Sequence, residues 1–136
     1  MIDILADLDD ESRQEFAKHF ISIKKIHALA NDRTSSLDES RRREFLFTSA
    51  SDLKTRYALM RKGLKIEGER LGVTWSDISK EGFNKRLREY GGTTYVHGEL
   101  RFRSNGLRFS VSTLSLFDGE EYLLIAIGNL RRLKSL

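Results

Sequence analysis

The spacing of apolar residues changes near residue 90, and this change constrains the fold more than any other feature of the chain. Up to about Tyr90, apolar residues recur every three or four positions, the spacing of one face of an α-helix. Beyond it, they alternate with polar residues in segments joined by Asn105-Gly106 and Asp118-Gly119, dipeptides that favour tight hairpin turns. The sequence therefore predicts an α+β fold, with about three N-terminal helices packed on a C-terminal three- to four-stranded antiparallel β-meander.

We expect a single domain over residues 1–136, because a chain of this length can bury a core without disulfides or a metal. Residues 1–92 are predicted to be mainly helical and residues 93–136 to form antiparallel hairpins. The absence of cysteine excludes disulfides, thiolate metal sites and cysteine nucleophiles. No apolar run is long enough to cross a bilayer, and the first residues are acidic where a signal peptide is cationic. We therefore expect an intracellular, cytoplasmic protein.

Three helices are predicted from periodicity and capping signals. The first helix is expected to begin near Asp9 or Asp10. The second is expected to begin at a capping box, Ser36 to Glu39, and to run to Arg70. The third is expected to begin at Ser76 or Ser79 and to end at Gly91-Gly92. A bend in the second helix is expected near Gly63 or Gly68, since glycine weakens a helix interior.

The second helix carries a stripe of strict four-three spacing. Its members are Leu46, Ala50, Leu53, Tyr57, Met60 and Leu64. Such a stripe can pack into the core of its own chain or against a second copy. A homodimer through the Leu46–Leu64 stripe is therefore kept as an alternative to a purely internal role.

Apolar and polar residues alternate in the first predicted strand, which separates a core face from a solvent-exposed, or wet, face. The core face holds Val96, Gly98, Leu100 and Phe102, and the wet face holds Tyr95, His97, Glu99, Arg101 and Arg103. In the second strand the apolar residues move from odd-numbered to even-numbered positions, which predicts a β-bulge near Ser112-Thr113. The third strand, residues 122–127, is apolar on both sides, which predicts a central or helix-covered position.

Charge is distributed unevenly within a formal net charge of +4. Residues 1–39 hold nine acids and five bases, and the remainder holds nineteen bases and eleven acids. This asymmetry indicates either a basic surface for an anionic partner or an acidic first helix that packs on basic neighbours. The predicted basic surface consists of Lys80, Lys85, Arg86 and Arg88 on the third helix with Arg101, Arg103 and Arg108 near the hairpin tip.

A basic helix followed by an arginine-flanked hairpin resembles the order of a winged helix-turn-helix, which implies nucleic-acid contact. The stretch from Gly98 through Asn105-Gly106 and Asp118-Gly119 to Ile127 resembles the last three strands of a PAS sensor domain. Helices followed by a curved sheet are similar in architecture to the nuclear transport factor and ketosteroid isomerase superfamily. None of these likenesses assigns a family.

The sequence contains no motif that demands catalysis, a metal or a cofactor. The three histidines, His19, His27 and His97, lack zinc-ligand spacing, and neither a phosphate-binding loop nor a nucleophile elbow is present. We therefore expect no cofactor, no metal and no enzymatic activity.

Three functional hypotheses remain, one of which is a structural subunit or inhibitor that acts through a dimer interface or a sheet edge. The favoured one is a small intracellular regulatory or interaction protein whose basic helix and hairpin bind an anionic partner, either nucleic acid or an acidic protein surface. The alternative is a small-molecule sensor or small enzyme with a pocket between helices and sheet, lined by Trp75, Tyr95, His97 and Glu99.

Overall fold

The computed structural model describes residues 4–5, 8, 13–35 and 37–135. Within them, helices precede an antiparallel sheet of strand order β1-β2-β3-β4, which confirms the predicted α+β fold. The helices are α1 (Arg13–Ala17), α2 (Ile23–Asn31), α3 (Glu39–Phe47) and α4 (Ala50–Leu71). The strands are β1 (Ser79–Tyr90), β2 (Thr93–Ser104), β3 (Leu107–Phe117) and β4 (Tyr122–Arg132).

The predicted third helix is wrong, because this segment forms strand β1. Every residue from Ser79 to Tyr90 except Glu81 pairs with β2. Gly91 and Gly92 have φ values of 58° and 88° and form the two-residue turn of a β-hairpin, in which both residues need positive φ. The mainly helical region therefore ends at Leu71 and not at residue 92. The basic helix is a basic edge strand, and the winged-helix order does not hold.

The predicted second helix breaks at Thr48 and Ser49 and not at a glycine. Ser49 accepts a hydrogen bond from the Asp52 amide, and the Asp52 carboxylate accepts one from the Ser49 amide, which makes a capping box for α4. Asp38 caps α3 by accepting from the Arg41 amide. The cap predicted at Ser36 and the helix start predicted at Asp9 or Asp10 lie outside the described residues, and Ser22 caps α2.

The helix α4 continues through both of its interior glycines. Gly63 is exposed with no atom near its hypothetical Cβ, whereas a Cβ on Gly68 would overlap the indole ring of Trp75. Gly68 therefore lets the loop after α4 pack tightly on the helix. Trp75 in turn stacks on Phe102 of β2, with ring centroids 6.1 Å apart.

The helices cover β4 and leave β1 as the uncovered edge of the sheet. The α4 helix packs along β4, and the Ile21 amide donates to the Leu124 carbonyl at 2.9 Å. The apolar third strand of the meander is thus helix-covered, as predicted, but it is not central. None of the helices within the described residues is long and apolar enough to cross a membrane.

The four-three stripe of the second predicted helix points mainly into the core of its own chain. Leu53, Tyr57 and Leu64 are buried, and the Tyr57 hydroxyl donates to the Ile21 carbonyl at 2.7 Å. Leu46, on α3, and Ala50, the first residue of α4, are exposed. A dimer through this stripe would have to use residues other than the three that the chain itself buries.

The bulge predicted near Ser112-Thr113 does not lie in β3 itself, because β3 pairs with β2 without a shift. The pairing of β3 with β4 does shift on either side of these residues, and the extra residues lie in β4. Register shifts place Glu81 of β1 and Ile125 of β4 outside the regular pairing, and another shift occurs beside Asn129, whose φ is 53°. Leu114 is apolar although it points to the opposite face of β3 from Phe109 and Val111, and the reason is not a bulge. At that end of the sheet it lines one cavity with residues of α2, α3 and α4, so the helices cover the other side of the strand there.

Candidate functional site

Opposite residues in an antiparallel pair share a face, so the strand register divides the sheet into two surfaces. The covered face is buried and includes Val96, Gly98, Leu100, Phe102, Phe109, Val111 and Thr113. The open face includes Asn84, Arg86, Arg88, His97, Glu99, Arg101, Arg103, Arg108, Ser110, Ser112 and Arg131. The predicted core face of β2 is thereby confirmed, whereas the predicted solvent-exposed face is wrong at Tyr95, which is buried.

The centre of the open face is concave. A groove of about 360 Å³ crosses the sheet there. Its open-face lining residues are Asn84, Arg86, His97, Glu99, Ser112 and Arg131. Every one of these side chains carries a polar or charged group, so the groove suits a charged or strongly hydrated ligand.

Six arginines make the open face cationic. They are Arg86, Arg88, Arg101, Arg103, Arg108 and Arg131. Glu99 and Glu81 are the glutamates in contact with them, which leaves a net charge of +4 with His97 neutral. Arg131 was missed by sequence reasoning because it lies near the end of β4, in a segment without hairpin or helix signals.

One end of the open face is closed by a cluster around Glu81. The β1 bulge directs this carboxylate toward two arginines: Arg108 donates from Nε at 3.0 Å and Arg103 from Nε at 3.1 Å. The hydrogen bonds from Arg108, followed by those from Arg103, lower the pKa of Glu81 to about 2. Arg108 also donates to the Lys134 carbonyl at 2.8 Å. Arg108 therefore fastens the C-terminal segment and is committed to structure.

The remaining cations of the open face differ in how far they are neutralised. Arg101 donates from Nε to Glu99 at 2.8 Å. Among the described residues, none forms a salt bridge or hydrogen bond with the side chains of Arg86, Arg88 or Arg131. These three exposed guanidinium groups keep all their donors available for an anion.

The other end of the open face runs under helix α3. Tyr95 has the register of the open face but is buried there, donating to Asp38 Oδ1 at 2.6 Å and accepting from Arg41 Nε at 3.2 Å. Burial and then the bond to Asp38 raise the pKa of the Tyr95 hydroxyl. Tyr90 lies beside it, with ring centroids 5.9 Å apart.

The structure separates the predicted site residues into groups. Arg86, Arg88, Arg101, Arg103 and Arg108 share the open face, whereas Lys80 and Lys85 have the register of the covered face. Lys85 Nζ lies 5.6 Å from the centre of the Tyr122 ring.

The predicted pocket is not assembled as a unit. His97 and Glu99 line the groove, Tyr95 is buried under α3, and Trp75 packs against Gly68 on the other side of the sheet. Trp75 is held there for a steric reason, since Gly68 has no Cβ and the indole ring lies where a Cβ would be.

Within the part of the chain that the structure describes, no group of three His, Asp or Glu side chains is placed to hold a metal ion. Comparison of the chain with protein-family models, with curated proteins and with solved structures gives no match. Function has to be inferred from the surface itself.

Proposed function

We propose that this is a cytoplasmic regulatory or interaction protein that binds nucleic acid through the open face, without catalysing a reaction. The observation that carries the proposal is the presence of Arg86, Arg88 and Arg131 on one face, exposed and without an acidic partner among the described residues. Guanidinium groups present paired donors that match phosphate oxygens. Neutralising phosphates releases counterions, which drives such binding at low salt.

The composition of the open face favours nucleic acid over an acidic protein surface. Protein interfaces have an apolar core within a polar rim. The groove at the centre of this face is lined instead by Asn84, His97, Glu99 and Ser112 together with arginines. An acidic protein would find charge there but little apolar surface to bury.

The register explains how the cations act together. Arg86 and Arg88 are two residues apart on one face of β1, a separation of about 6.6–6.8 Å along the strand. Arg131 lies across the groove on β4. A polyanion that follows the groove can contact all three.

A fluorescence polarisation assay with labelled mixed-sequence DNA and RNA oligonucleotides at low salt tests the proposal. We expect the wild-type chain to bind with a Kd of roughly 10⁻⁴ to 10⁻⁶ M at physiological salt, and more tightly at low salt. Replacing Arg86, Arg88 and Arg131 by Ser should weaken binding by about tenfold or more, because phosphate contacts dominate such affinity.

A matched variant replaces Arg43, Lys54 and Lys62 by Ser, which removes the same charge from exposed positions on α3 and α4. Its affinity should stay within about twofold of wild type, since these positions lie on the helices. Equal weakening in both variants would contradict a defined interface. Binding to poly-glutamate as tight as to nucleic acid would favour an acidic protein partner instead and overturn the proposal.

A further inference from the structure

An exposed aromatic ring lies at the end of the cationic row on β1. Tyr90 has the register of the open face, opposite Thr93, and 57% of its surface is exposed. The alternating positions Arg86, Arg88 and Tyr90 therefore place two guanidinium groups and one phenol ring on the same side of one strand.

The position of the Tyr90 ring is set by a firmly held neighbour. Tyr95 packs against it at 59° between ring planes, and Tyr95 is itself fixed by hydrogen bonds with Asp38 and Arg41. Arg41 also lies over the Tyr95 ring, with Cζ 5.5 Å from the ring centre. Tyr90 is thus supported on one side, while the exposed part of its ring faces solvent.

From this juxtaposition we infer that the ligand of the open face is a single-stranded nucleic acid, with one unpaired base stacked on Tyr90 and its phosphates on Arg86 and Arg88. The inference rests on the proposed function. Proteins that bind single strands combine a cationic groove with aromatic platforms, because every base has a face that can stack.

The shape of the open face also disfavours a duplex. Base pairs in a duplex hide their faces and are read by a helix or β-ribbon that enters a groove. The cations of this site lie instead within a four-stranded sheet, on β1 and β4, with the groove as a depression between them. A flexible single strand can follow that depression.

An abasic oligonucleotide separates stacking from charge, because it keeps the phosphates and lacks the bases. We expect the wild-type chain to bind a twelve-residue oligothymidylate about tenfold more tightly than an abasic strand of the same length, and more tightly than a duplex containing it. Tyr90→Leu should reduce the preference over the abasic strand to about one. Tyr90→Phe should retain it, because stacking needs the ring and not the hydroxyl.

Tyr122→Leu serves as the matched control. Tyr122 is also about half exposed, at 52%, but it pairs with Phe117 in the register of the covered face. This variant should keep the tenfold preference, and thermal unfolding should show that all three variants fold.

The possible results separate the two claims. Equal wild-type affinity for the oligothymidylate and the abasic strand would overturn the stacking inference and leave the proposed function standing. Equal or tighter binding of the duplex, or an unchanged preference in Tyr90→Leu, would overturn it as well. Failure of every polyanion to bind would overturn both.

Discussion

The two faces of strand β2 differ in what their side chains do for the molecule. Phe102 has no exposed surface and stacks between Trp75 and Phe109, whereas the side chain of its neighbour Arg101 is 41% exposed. Since successive residues of a strand point to opposite faces, one short segment serves both stability and surface charge. Substitutions on the two faces should therefore separate folding from binding.

The largest expected difference follows from truncating neighbouring residues. Phe102→Ala should lower the free energy of unfolding by about 3–5 kcal/mol, because it leaves a cavity in the core. Arg101→Ala should lower it by no more than about 1 kcal/mol, the value of an exposed ion pair. Urea denaturation followed by circular dichroism measures both. Similar losses for the two variants would show that the faces are not distinct.

Much of this division could be predicted from the sequence. Alternation from Val96 to Arg103 assigns both faces of β2, and the Asn105-Gly106 turn fixes its pairing with β3. Strand β1 could not be assigned this way, because an edge strand with charge on both faces lacks alternation and Phe83 and Leu87 happen to have helical spacing. The Gly91-Gly92 pair was the available signal, since a two-residue turn with positive φ suits a hairpin as well as a helix end.

The candidate site was predicted in part for the same reason. Arg86 and Arg88 were identified as cations, but their face follows only from the register of β1 with β2. The face to which Arg131 belongs depends on an irregular register beside Asn129, and sequence periodicity does not reveal that irregularity. Local sequence patterns also do not predict tertiary contacts such as those of Trp75 with Gly68 and Phe102.

A smaller effect should distinguish the packed and solvent sides of α4. Gly68→Ala should destabilise the protein by about 1–3 kcal/mol, because the new methyl group overlaps the Trp75 ring. Gly63→Ala should stabilise it by up to about 1 kcal/mol, since alanine favours the helix and the site is open. Thermal unfolding of both variants gives the signs. A stabilised Gly68→Ala variant would contradict the close packing of Trp75.

Acid should weaken the Glu81 cluster. The folded pKa of Glu81 is lowered to about 2 from its ordinary 4.5, so its contribution is complete above about pH 4.5 and is lost as pH falls toward 2. Glu81→Gln should therefore lose less stability between pH 5 and pH 2 than wild type, as measured by urea midpoints.

Asp118→Asn provides a comparison at a site away from the open face. Burial raises the pKa of Asp118, but hydrogen bonds from Lys25 and from the Glu121 and Glu120 amides outweigh it and lower the pKa to about 2. The stability of this variant should also change less than that of wild type between pH 5 and pH 2, because it lacks the titrating carboxylate that joins the β3–β4 turn to Lys25 of α2. If Glu81→Gln follows the wild-type profile, the arginine cluster does not contribute as described.

The smallest effect concerns the acid within the groove. Glu99→Gln should tighten oligonucleotide binding by about two- to threefold, because a negative charge is removed beside the phosphates. Glu69→Gln, on the exposed surface of α4, should leave the affinity unchanged. Equal changes in the two variants would indicate a response to net charge alone.

The salt dependence of binding tests the central claim most directly, since it counts the phosphates that the open face neutralises. We predict that Arg86→Gln reduces the slope of log Kd against log salt concentration by about 0.7, the value for one contact to a single strand, while Arg43→Gln leaves it at the wild-type value. The same slope for wild type and Arg86→Gln would contradict an interface on the open face.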